Sequence, residues 1–205
     1  MFKVSVLGSG GWGIALAIAA FNNGHKVVLW TPFEEEAAML LEKRTNERLL
    51  NGIIIPEDIE ITTDINKATG SYITIIACPS TAVRSVATRL KNIDCGIIVN
   101  VAKGFEKESL KLLSDVIHEE LPDRKIAVLS GPSHAEEVAR NIPTSIVAAS
   151  SSLPVAEIVQ NVMSNEFLRI YTSTDLVGVE VGGALKNVIA VCAGFCDGLG
   201  LGDNS

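Results

Sequence analysis

The chain has 205 residues, of which 47% are apolar and only 5% aromatic, and carries a formal net charge of −7. That length holds one full domain, or one domain and the start of another. The acid excess excludes nucleic acid as the main partner, because a phosphate backbone needs a basic face; a small phosphate held by two lysines and backbone N–H groups stays compatible. Cys78, Cys95, Cys192 and Cys196 fit neither a metal knuckle nor a C-x-x-C pair and read as reduced thiols in a cytoplasmic core. The run Ile14–Phe21 is framed by glycines and has no cleavage site after it, so it is not a secretory signal. No stretch is an unbroken apolar run of the roughly 18 residues that a membrane span requires, so no span is expected.

Strand-like and helix-like runs alternate from the first residue. Lys3–Leu7 predicts a strand, Gly13–Asn23 a helix closed by Gly24, Lys26–Trp30 a second strand and Phe33–Arg44 a second helix. Ser71–Ala77, Gly96–Val101, Lys125–Leu129 and Ser145–Ala149 follow as strands, with helices over Thr81–Lys91 and Glu108–Leu121 between them. The strands are nearly continuous in Val and Ile, as strands buried on both faces should be. The expected fold is α/β: a Rossmann-type, doubly wound, mostly parallel sheet over residues 1–172. From Asp175 to Cys196 the pattern changes to one long helix, capped by Thr174 or Asp175, which opens an all-α second domain over 173–205. The loop-like ending Gly-Leu-Gly-Asp-Asn-Ser leads us to expect further chain beyond it, and little or no turnover from these 205 residues alone.

Gly8-Ser9-Gly10-Gly11-Trp12-Gly13 matches G-x-G-x-x-G, and it sits between a clear strand and a clear apolar helix. Gly8 suits a tight turn, Gly10 a close backbone approach to a pyrophosphate, and Gly13 close packing of helix on strand. The free N–H groups of the helix then face the phosphates. The residues after the second strand, Thr31-Pro32-Phe33, supply neither the acid expected for a ribose hydroxyl nor an arginine for a 2′-phosphate, so the choice of NAD or NADP is open at this point.

Three more turns follow strands: Cys78-Pro79-Ser80, Val101-Ala102-Lys103-Gly104 and Ser130-Gly131-Pro132-Ser133-His134-Ala135. Lys103 falls where such a sheet opens its ligand crevice, and Ser133 is placed to cap a helix whose N-terminus can hold an anion. On the long helix, Gly178, Gly182 and Gly183 clear one face, and Lys186 shares it. A lysine desolvated there would have a lowered pKa and could exchange a proton near neutrality. Asn187 adds an amide able to hold a hydroxyl or a second lysine. His134 reads as a polar helix start, and His25 and His118 as surface residues.

The loop Gly8–Gly13, the turn Val101–Gly104, the run Gly131–Glu137, and above all Gly178–Asn187 with Asp197–Asn204 closely resemble bacterial-type NAD(P)-dependent glycerol-3-phosphate dehydrogenase along the whole chain. The resemblance implies that Gly11, Trp12 and Ala135 contact the cofactor, that Lys103 touches cofactor and substrate, and that Gly131 and Ser133 line the substrate. It implies Lys186 as the proton acceptor on the carbinol oxygen, and sn-glycerol 3-phosphate and dihydroxyacetone phosphate as the reacting pair, made for phospholipid synthesis. One departure is that no arginine follows the second strand, where many relatives carry one. A homodimer is compatible with it. The competing readings are a related 6-phosphogluconate or 3-hydroxyacid dehydrogenase, and a dinucleotide-binding fragment without catalysis.

Overall fold

A computed structural model describes residues 1–202. The strands are β1 (Lys3–Leu7), β2 (Lys26–Trp30), β3 (Glu60–Thr62), β4 (Ile73–Ile76), β5 (Ile97–Asn100), β6 (Ile126–Ser130), β7 (Thr144–Ala149) and β8 (Leu168–Ser173). They form one sheet in the order β3-β2-β1-β4-β5-β6-β7-β8, parallel throughout except where β6 meets β7. The helices are α1 (Gly11–Asn22), α2 (Glu34–Lys43), α3 (Val83–Arg89), α4 (Leu113–Glu120), α5 (Ala135–Ala139), α6 (Leu153–Met163) and α7 (Leu176–Gly198). Val4, Val6, Ile73, Ile75 and Val99 pack on one face against α1, α2, α5 and α6. Leu7, Ile76 and Ile98 pack on the other against α3 and α4. Both faces are therefore covered, and the central strands β4 and β5 are buried at every residue. The strand order reverses between β1 and β4, which opens a crevice at the carboxyl ends of those strands.

Several elements differ from expectation for definable reasons. The edge strands β3 and β8 lie outside the predicted set. An edge strand is half buried, so β8 alternates inward Leu168 and Ile170 with outward Arg169 and Tyr171 instead of running continuously apolar. Helix α6 also went unread, although Pro154 sits in its first turn, where its missing N–H is harmless. The helix expected from Glu108 begins only at Leu113. Residues 106–112 turn instead, with Leu110 at φ 56° and a bridge from Phe105 to Leu112. Ser133 does not cap α5: His134 holds the cap position, without a side-chain bond, and the Ser133 hydroxyl donates to the Gly131 carbonyl at 3.4 Å. His25 is not a free surface residue, since its Nε2 lies 2.9 Å from the Val162 carbonyl oxygen. The four thiols are free, but they are not all core residues: Cys95 is buried and Cys192 exposed.

Helix α7 begins as expected, with the Asp175 carboxylate accepting from the Gly178 N–H at 2.8 Å. It is 23 residues long and apolar enough, at a mean hydropathy of 1.6, to meet the length and composition of a membrane span, contrary to the expectation of none. The expectation counted unbroken apolar residues; averaging absorbs Glu180 and Lys186. Only 6% of that stretch is buried, and Val188, Ile189, Val191 and Phe195 are exposed. A helix apolar on all sides is one meant to be covered. Its first turns are fixed to the N-terminus of α4 through Glu180, which is an anchor to protein.

Candidate active site

The glycines of the first loop divide into two physical kinds. Gly8 has φ 129°, donates its N–H to the Trp30 carbonyl at 2.8 Å, and has the Ala77 carbonyl oxygen 2.5 Å from where a β-carbon would stand. A β-carbon on Gly13 would run into the Gly8 carbonyl. These two are required by the packing of α1 on β1. Gly10, the N-cap of α1, has nothing within 4 Å of its β-carbon position. That open side faces a crevice of about 370 Å³, which Gly10, Gly11, Trp12, Lys103, Ser133 and Ala135 line. Cys78 and Pro79, at the end of β4, close its opposite wall. Glycine backbone, the unsatisfied N–H groups of the first turn of α1 and an open approach at Gly10 together fit a dinucleotide pyrophosphate.

A second cleft of about 830 Å³ lies between α7 and the turn after β6. Gly131, Ser133, Lys186 and Asn187 border it, and Ser133 borders both cavities. Gly183 lets α7 come down onto the site: its β-carbon would stand 2.6 Å from the Ser130 hydroxyl and 3.8 Å from Lys103 Cγ. Gly182 is open, and Gly178 abuts only the capping Asp175. Lys103 reaches across, donating from Nζ to the Gly131 carbonyl at 3.2 Å.

The desolvated lysine is not the one expected. Lys186 is exposed, because α7 leaves the sheet after Gly183. Lys103 is the half-buried one, and its pKa is lowered by burial first and then by the positive charge of Lys186. Among the described residues neither lysine has an ion-pair partner. Two cations on adjoining cavities, Lys103 on the smaller and Lys186 on the larger, suit an anionic ligand. His134 is exposed at the rim.

Supporting residues that the sequence did not single out hold this geometry. Glu180 is buried, accepts from the Ser114 N–H at 3.0 Å and binds the Ser114 hydroxyl, so α7 supplies a carboxylate to the N-terminus of α4. Burial raises its pKa, against the opposing hydrogen bonds of Ser114 and Asn100. Asn100 in turn accepts from the Ala102 N–H at 3.1 Å, next to Lys103. An acid flanked by apolar residues in the first turns of α7 was the available signal. On the other side, Arg84 binds Glu106, Glu119 and Glu120 and so pins the segment after Lys103. Arg84 hydrogen bonds hold Glu106 down to about 2, and bonds from Lys91 and Arg84 hold Glu120 at about 2. Folded-state pKa values below the unfolded ones give stability that is present above the ordinary carboxylate pKa and is lost as pH falls toward the folded value. The melting temperature of wild type should therefore exceed that of Arg84→Met near neutrality, with the gap closing between about pH 4 and about pH 2. A gap independent of pH would mean that Arg84 acts by packing alone.

A family model described as NAD-dependent glycerol-3-phosphate dehydrogenase N-terminus matches residues 3–156, and the corresponding C-terminus model matches residues 175–205. The chain belongs to the NAD-dependent glycerol-3-phosphate dehydrogenase family. It is 50% identical, over its whole length, to the glycerol-3-phosphate dehydrogenase [NAD(P)+] of Fusobacterium nucleatum and 46% identical to that of Agathobacter rectalis. It spans 63% and 62% of those two relatives. The crystal structure of the Coxiella burnetii glycerol-3-phosphate dehydrogenase superposes with a TM-score of 0.89 at 34% identity, over 99% of this chain and 63% of that one. Asp203 and Asn204, part of the motif that first suggested the family, lie outside the described residues.

Proposed function

We propose that the chain supplies the dinucleotide site and the proton-transfer lysine of a glycerol-3-phosphate dehydrogenase, interconverting sn-glycerol 3-phosphate and dihydroxyacetone phosphate with NAD or NADP. The observation that carries this reading is that the two cavities share Ser133, and that Lys103 of the first bonds the Gly131 carbonyl of the second, which would set a nicotinamide beside an anionic substrate. A bound nicotinamide supplies the hydride chemistry. Gly8, Gly10, Gly11, Trp12, Gly13 and Ala135 would hold the dinucleotide. Lys103, Gly131, Ser133 and Asn187 would position the substrate, and Lys186 would take the proton from the carbinol oxygen. Residues 1–172 would form the dinucleotide domain and residues 173–205 the start of a helical domain. The exposed apolar face of α7 supports that division, since it needs cover from further helices or from a second subunit. A cytoplasmic enzyme that feeds phospholipid synthesis is the physiological setting this activity implies.

An enzyme joining this chain to a complete C-terminal domain of the family should reduce dihydroxyacetone phosphate with NAD(P)H and leave 6-phosphogluconate and 3-hydroxyacids unoxidised. Turnover of either alternative in preference would reject the substrate assignment. Dinucleotide binding without any turnover would support the non-catalytic reading.

A further inference from the structure

We infer that Glu36 is the residue that reads the adenosine ribose, and that the site selects NAD(H) over NADP(H). This rests on the dinucleotide reading above. In a sheet of this build the ribose lies just past the end of the second strand, where an acid usually accepts from its 2′-hydroxyl. Here that end is next to the glycine loop, through the bond from the Gly8 N–H to the Trp30 carbonyl. The residue that follows, Thr31, is buried and cannot play the acid's part. Its hydroxyl instead donates to Glu36 Oε2 at 2.7 Å, which draws a half-buried carboxylate from α2 back to the end of β2. Glu36 Oε1 has no protein donor among the described residues and can accept from a ribose hydroxyl. A 2′-phosphate would meet that carboxylate as a like charge. From Gly8 to Glu42 the only lysine or arginine is Lys26, at the opposite end of β2, and Arg89, which reaches this strand end from α3, is stacked over the Trp30 ring at 4.9 Å. The helix N-terminus that would otherwise attract the phosphate already carries Glu34, Glu35 and Glu36.

The test is titration of NADH and NADPH into this chain, wild type and Glu36→Gln, with circular dichroism as the check of folding. Wild type should bind NADH about tenfold or more tighter than NADPH, and Glu36→Gln should narrow the ratio to about threefold or less, chiefly by improving NADPH. Glu34→Gln, at a carboxylate that accepts from the Thr63 hydroxyl instead, should leave the ratio unchanged. Equal or tighter binding of NADPH by wild type overturns the inference and leaves the dinucleotide site standing. A ratio unmoved in folded Glu36→Gln, or moved as much by Glu34→Gln, overturns the role of Glu36. Binding of neither nucleotide by wild type overturns the dinucleotide reading and this inference with it.

Discussion

Lys186→Met is expected to lower kcat by about 10²–10⁴-fold in an enzyme that joins this chain to a complete C-terminal domain, with dinucleotide affinity unchanged. Alcohol oxidation releases a proton from oxygen, and a group within hydrogen-bond reach must receive it. Three candidates border the clefts. His134 sits exposed at the cap of the short helix α5, at the rim of the larger cleft. Lys103 has the lowered pKa, but its ammonium is engaged with the Gly131 carbonyl and it lines the cofactor crevice. It is suited to fixed charge beside substrate and nicotinamide. Lys186 stands in the larger cleft beside Asn187, on a helix fixed by Glu180 and by the contact of Gly183 with Ser130. Lys103→Met should accordingly raise KM and weaken cofactor binding, whereas Lys186→Met should act on kcat. The reverse split would assign the proton to Lys103.

The central strands and the glycine loop were legible because their cause is local. A parallel strand covered on both faces is mostly apolar, and Val or Ile stands at three of four positions in each of β4 and β5 and at two of five in β1, beside Leu7. The site lysines were legible as positions for the same reason, since each follows or lies on an element that could be read. Which of them is desolvated was not, because that depends on where α7 crosses the sheet. The crossing is set by Gly183 against Ser130 and by Glu180 against Ser114, contacts between residues far apart in sequence. The ribose acid was hidden likewise: Glu36 reads as an ordinary first-turn helix acid until the Thr31 bond brings it to the strand end. Edge strands such as β8 carry half the apolar signal and were lost to it.

Gly10→Val is expected to abolish dinucleotide binding while the fold persists. The two halves of that expectation come from different observations. No heavy atom lies within 4 Å of the position a β-carbon would take at Gly10, and the residue adopts φ −64°, ψ 167°, open to any L-residue. Valine there should leave the melting temperature nearly unchanged. The same open side is where a pyrophosphate would have to approach the N-terminus of α1, and a branched side chain fills it. The loss of affinity should be on the order of a hundredfold or more. Substitution at Gly13 could not serve as this test, because it forces the Gly8 carbonyl and damages the free protein. The decisive measurement is therefore NADH titrated into the wild-type chain and into Gly10→Val, at matched thermal stability. The account predicts saturable one-site binding to wild type and none to Gly10→Val at the same concentrations. Equal affinity in the two, or no binding to wild type, would contradict it.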